Sequence, residues 1–148
     1  MGVRTRTRAE NRKEAKKNVA FAKLNNYPSS PRKMRLIVDL IRGKRVELAL
    51  QILKHNAKQP SDSLRKLLLS AIANWQMKNE GMRIEESDLF VKEVFVDSGR
   101  QLKRLQTAPQ GRAHRIRKRS NHVTILLDSM NAPAVEVEKT EEAEEKNS

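Results

Sequence analysis

The 148-residue chain contains no cysteine. Disulfides and thiolate metal sites are therefore excluded. Aromatic residues make up only 3%, so stacking of nucleobases on exposed rings is not the expected binding device. No apolar run approaches the ~18 residues of a membrane span. The first eighteen residues, MGVRTRTRAENRKEAKKN, lack the apolar core of a secretory signal, and Glu10 and Glu14 argue against a mitochondrial presequence. Arg6 stands where a myristoylation motif needs Ser or Thr. A cytoplasmic protein is the expectation. The most telling absence is local. Residues 99–119, GRQLKRLQTAPQGRAHRIRKR, hold eight Lys or Arg and no acid, with too few apolar residues to form a core.

What is present is positive charge. Lys and Arg number 31 against 18 Asp and Glu, for a net +13 and a pI near 10.4. Charge of this size, clustered, points to a polyanionic partner. The chain divides by composition. Residues 1–18 read as a basic extension, either a solvated tail or an RNA-contacting arm. Residues 19–128 form the one domain that 37% hydrophobic content can support. Residues 129–148 form an acidic tail whose last thirteen residues carry six Glu and two Lys, leaving +17 for the remainder. Such a tail is expected to be disordered.

Within the domain, residues 19–24 read as a short strand. Ser30 before Pro31 is an N-cap signal with proline at the first helical position. Met34, Ile37, Val38 and Ile41 then repeat at helical spacing as far as the Gly43 stop. Val46, Ala49, Leu50 and Leu53 mark a second helix. Ser61 is expected to cap a third, with the stripe Leu64, Leu67, Leu68, Ala71, Ile72 and Trp75 on its buried face and Gly81 as terminator. Residues 89–97 and 122–127 read as strands. The expected fold is α+β: three helices on a small three-stranded antiparallel sheet, with a long protruding β-hairpin.

The acid-free stretch becomes the extension of that hairpin, over residues 96–123. Ala108-Pro-Gln-Gly111 suits a type I turn, and twelve-residue arms flank it. Each arm would span roughly 40 Å. A two-stranded ribbon is marginal alone in water, and its arginines repel one another. The reading is a ribbon ordered by RNA; a flexible basic loop is the alternative. Phosphate binding and recognition of shape fit the composition. A DNA regulator is disfavoured, because the polar face of the third helix is short of the Asn, Gln and Arg that read bases. A metal among His114, His122 and Asp97 is less plausible than phosphate or backbone contacts by those histidines. With no acid/base pair and no glycine-rich phosphate loop, an enzyme is disfavoured. Arg32, Lys33 and Arg35, beside Ser30 and the first-turn N–H groups, suggest a phosphate site. Arg42 and Lys44 lie at the other end of that helix, where they complement its dipole.

Residues 30–44 (SPRKMRLIVDLIRGK), 70–74 (SAIAN), 91–97 (VKEVFVD), 102–104 (LKR) and 111–119 (GRAHRIRKR) occur in the order seen in one family. Together they resemble bacterial large-subunit ribosomal protein twenty-two, over roughly residues 19–127. The resemblance implies binding to 23S ribosomal RNA during large-subunit assembly, with no cofactor, metal or small-molecule substrate. It implies RNA contacts by Ser30, Arg32, Lys33, Arg35, Arg42, Lys44, Arg100, Lys103, Arg104, Arg112, His114, Arg115, Arg117, Lys118, Arg119 and His122. It also implies a hairpin lining the peptide exit tunnel, where its tip meets the ribosomal protein numbered four at the constriction and transiently the nascent chain. Leu102, Lys103 and Arg104 match hairpin positions linked in the family to macrolide response, and Ala108, Pro109, Gln110, Gly111 and Arg112 form the tip. The family commonly carries Arg and Lys where this chain has Ala108 and Gln110, so the tip is less positive than usual.

Overall fold

The computed structural model describes residues 3–79 and 87–130. The elements are α1 (Val3–Asn18), β1 (Ala20–Tyr27), α2 (Pro31–Ile41), α3 (Val46–His55), α4 (Pro60–Lys78), β2 (Leu89–Thr107), a single 3-10 turn (Pro109–Gly111) and β3 (Ala113–Ser129). The strands form one antiparallel sheet in the order β1-β3-β2. The expected α+β architecture is thus observed. A fourth helix, α1, has formed from the basic leader; its residues 3–13 are exposed and add nothing to the core.

Strand alternation places Ala20 and Ala22 of β1, and Val123, Ile125 and Leu127 of β3, on the inner sheet face. On β2 the inward set changes parity, from Leu89 and Val91 to Val94 and Val96. A bulge between Val91 and Glu93 absorbs the extra residue. Without it Glu93 and Phe95 would face the core. Met34, Ile37, Val38 and Ile41 of α2 pack onto this face with Leu64, Leu67, Leu68, Ala71, Ile72 and Trp75 of α4, as one cluster. Burial of these side chains, each contributing ~1.5–3 kcal/mol for the larger aliphatics, is the main stabilising term.

Both sheet edges are closed by groups from the helices. On β1, Asn74 Nδ2 donates to the Phe21 carbonyl at 3.0 Å and Lys78 Nζ to the Val19 carbonyl at 2.6 Å. On β2, the loop after α2 pairs like a short strand: Gly43 N donates to Val91 O and Val91 N to Lys44 O, each at 2.9 Å. Gly43 has φ +70°, which glycine adopts without a Cβ clash. Arg42 and Arg35 extend the seal, donating to Val94 O at 3.3 Å and Val96 O at 3.0 Å. Unpaired edges that template aggregation are thereby covered.

Beyond the body, β2 and β3 continue as a two-stranded ribbon to Thr107↔Ala113. The expected equal arms need one correction. Pairing passes from Ser98↔Asn121 to Gln101↔Arg119, so Gly99 and Arg100 lie opposite Ser120 alone. This bulge gives β2 one residue more than β3. Ser120 Oγ closes it with a 2.6 Å bond to the Arg100 carbonyl. A Cβ on Gly99 would lie 2.7 Å from Ser120 Oγ and 3.2 Å from His122 Nε2, so the close approach requires glycine.

Other expectations change at the ends of elements. Ser61 is not a cap: α4 begins at Pro60 with Gln59 at the N-cap, and Ser61 is 1% exposed with no partner for its Oγ. Proline took the first helical position and left the serine at the second. Ser30 does occupy the N-cap of α2, but its side chain makes no capping bond. β1 runs past residue 24 through an irregularity at Leu24/Tyr27, where Asn26 has φ 53°. The tip is not a type I turn, since Gln110 has φ 62° and ψ 30° and Gly111 has φ +71°. Gly81 and residues 131–148 of the acidic tail lie outside the described residues, while Ser129 ends β3.

Replacing Gly99 by Ala should destabilise the root of the ribbon, with an overpacking cost of about 1–3 kcal/mol. Trp75 is the chain's single tryptophan and is 5% exposed, so its emission during thermal unfolding reports the change. An unaltered midpoint would refute the close-packing role of Gly99.

Candidate nucleic-acid interface

Two groups of cations emerge from the sequence candidates. One is the ribbon. Directly opposed residues of an antiparallel pair share a face, so the register sorts the side chains. Arg115, Arg117 and Arg119 lie on one face, opposite Leu105, Lys103 and Gln101. Lys118, Ile116 and His114 lie on the other, opposite Leu102, Arg104 and Gln106. Lys103↔Arg117 is therefore the one directly opposed cation pair in the ribbon. Arg104, Arg115, Lys118 and Arg119 each face a neutral side chain, while Arg100 lies in the bulge and Arg112 beyond the last pair. The repulsion expected from composition is diluted by the register, although residues 100–107 and 111–119 are all exposed.

The second group surrounds a groove of about 920 Å³ at the ribbon root. It forms where the β1–α2 loop, the first turn of α2 and the α3–α4 loop face the base of the hairpin. Ser30, Lys33, Arg100, Lys118 and Arg119 line it. So does Lys58, which the sequence reading did not single out; a lone lysine in the Asn56–Gln59 loop carries no periodic signal. No acidic side chain lines the groove.

The remaining candidates are placed differently. Arg32 is exposed on α2. Arg35 and Arg42 already donate to β2 carbonyls, and Arg42 also pairs with Asp39 at 2.9 Å. Lys44 sits in the edge-closing turn. Arg42 and Lys44 are thus separated from Ser30 by the length of α2, roughly 16 Å at 1.5 Å per residue. Arg112, at the ribbon tip, accepts through its carbonyl from Ala108 N at 2.9 Å and donates its N–H to Pro109 O at 3.4 Å. His122 is half-buried, and its Nδ1 accepts the Asn26 backbone N–H at 3.1 Å. It braces the β1 irregularity.

Asn121 was also missed. It is fully buried, its Nδ2 donates to Ser29 O at 2.7 Å, and its Oδ1 has no hydrogen-bond partner among the described residues. The signal was available: Asn121 occupies the inward parity of Val123, Ile125 and Leu127, where a polar residue needs a reason. Here the reason is to anchor the loop that forms one wall of the groove.

The family model for "Ribosomal protein L22p/L17e" matches residues 22–128. The chain belongs to this family. Proteins called "Large ribosomal subunit protein uL22" are similar to it over most of its length. That of Christiangramia forsetii is 68% identical over 131 residues, covering 88% of this chain and 97% of the relative. The Flavobacterium johnsoniae protein is 64% identical, with 88% and 96% covered. The Bacteroides fragilis protein is 57% identical over 129 residues, with 87% and 94% covered. The chain is accordingly a protein of the large ribosomal subunit, in the cytoplasm, and takes part in translation; it is not an enzyme. Ribosomal RNA and other ribosomal proteins are its surroundings. Helix α1 lies outside the matched residues, whereas the groove and the whole ribbon lie inside them.

The tip geometry gives a local test. Gln110 occupies the left-handed region, which costs a non-glycine residue about 1–2 kcal/mol. Gln110→Gly should relieve about 1 kcal/mol of this and slow exchange of the Ala108 amide roughly five-fold, read by hydrogen exchange. Faster or equal exchange would show that the turn does not hold this conformation.

Proposed function

We propose that this protein binds 23S ribosomal RNA as a structural constituent of the large subunit and supports subunit assembly. Its ribbon lines the nascent-peptide exit tunnel near the constriction. The observation that carries the reading is a ribbon without acids, exposed along roughly 30 Å, attached to a well-packed body by one bulged root. A ribbon this thin has no self-made core. RNA on both sides supplies what it lacks: phosphates for Arg115, Arg117, Arg119 and Lys103 on one face, and for Arg104 and Lys118 on the other.

The roles of the remaining candidates follow their placement. Arg32, Lys33 and Lys44 present exposed ammonium or guanidinium groups to phosphate. Arg35 and Arg42 hold α2 against β2 and offer their remaining donors outward. His114 and Arg112 extend contacts toward the tip. The tunnel address rests on the family. There, Leu102, Lys103 and Arg104 border the wall, and residues 108–112 approach the ribosomal protein numbered four and the passing nascent chain. Ala108 and Gln110 reduce the positive field at that point and leave Arg112 as the one cation of the tip. The basic α1 is an additional RNA-contacting arm.

Sucrose-gradient fractionation of cell extract should find the protein in the large-subunit peak; its absence there would sink the reading. Replacing Arg115, Arg117 and Arg119 by Ala should remove up to about three phosphate contacts and flatten the salt dependence of RNA binding by roughly two to three units. A slope equal to that of the parent would refute their phosphate role.

A further inference from the structure

The groove at the ribbon root combines two chemistries. Its rim is cationic, with Lys33 and Lys58 on the body side and Arg100, Lys118 and Arg119 on the hairpin side. Its floor is apolar, with Leu36 59% exposed and Leu102 47% exposed, beside Ile37, Pro28 and Pro60. Recognition of a phosphate backbone needs only the rim. Apolar surface beside cations is what an unstacked nucleotide requires: its base has apolar faces to bury and its phosphates need positive partners. The volume, about 920 Å³, falls in the usual range for ligand clefts and accommodates a base with its flanking backbone.

The walls are preorganised. Asn121 pins Ser29 from beneath, and Ser120 Oγ locks the bulge that presents Arg100. Asn26 and Gln59 bring side-chain amides to the lining, which supply both donors and acceptors for a base edge. A planar guanidinium such as that of Arg100, in the lining, can stack on a base in place of an aromatic ring.

We propose that this groove receives an unpaired nucleotide extruded from ribosomal RNA, with its base against Leu36 and Leu102 and its phosphates on the basic rim. The proposal rests on the reading that the protein binds 23S RNA and adds a second mode to it: base burial at the root beside phosphate contacts along the ribbon. Because the two walls belong to the body and the hairpin, one bound nucleotide ties them together and sets the ribbon's direction.

The test uses the full chain with a 23S RNA transcript, read by filter binding across a salt series and by dimethyl sulfate footprinting. The parent should protect one or more unpaired adenine or cytosine bases. Leu36→Ala with Leu102→Ala should abolish that protection and weaken binding roughly five- to a hundred-fold, the range carried by one stacked base. The salt slope should not change, because no cation is removed. Lys58→Ala should do the converse, keeping protection and lowering the slope by about one unit. Both leucines are exposed, and unchanged Trp75 emission confirms folding. Leu36→Lys is the second variant: it adds a cation yet should also lose base protection. Parent-like footprints in both leucine variants would overturn the proposal while leaving the ribbon's salt slope, and so the general RNA-binding reading, intact. Failure of the parent to bind 23S RNA would overturn both. The chain has no cysteine, so Lys58→Cys gives a unique crosslinking site in assembled subunits. Crosslinks to RNA are expected, and crosslinks to a neighbouring protein alone would overturn the proposal.

Discussion

One antiparallel ladder, β2 against β3, carries the rest of the molecule. Its lower half is buried against α2 and α4 and is specified by apolar alternation. Its upper half has no body behind it and inherits its register from the lower half. A one-residue slip at the root would move every cation of the ribbon to the opposite face. The two bulges are therefore functional parts of the ladder. That at Val91/Glu93 keeps Val94 and Val96 inward, and that at Gly99–Arg100 sets which ribbon face turns toward the groove.

The same ladder reconciles a high density of positive charge with an ordered arm. Composition alone predicts strong repulsion among eight cations. The register instead places Leu105, Gln101, Leu102 and Ile116 opposite four of them, opposes Lys103 to Arg117, and leaves Arg100 in the bulge and Arg112 at the tip. Like charges directly opposed are destabilising, whereas a cation opposite an aliphatic chain lays its own methylenes over it. The register thus meets a polyanion with its charges already spaced along the ladder.

Much of the fold was legible from local pattern. The helical stripes of α2, α3 and α4 and the β-branched runs of β2 and β3 each bury enough apolar surface to decide their own state. The acid-free stretch with its central proline-glycine turn located the ribbon. What was not legible involves contacts between distant segments. Asn26 N on His122 and Arg35 on Val96 O join residues 96 and 61 positions apart. No short-range pattern encodes them. Ser61 and the tip turn were misread for a local reason: in each case proline and its neighbours admit more than one turn geometry, and packing or loop closure chose between them.

The sequence by itself determined the three packed helices, the strands, a net charge suited to a polyanion and the existence of a basic arm, because periodicity and net charge are properties of the chain read in order; α1 carries no such periodicity. Only the tertiary structure decided which cations meet. Lys33, Lys58, Arg100, Lys118 and Arg119 come from four separate segments, and they converge because sheet register and helix packing bring the first turn of α2, the α3–α4 loop and both strands of the hairpin root to one place. The apolar floor between them, with Leu36 and Leu102 left uncovered, exists only once those surfaces face each other.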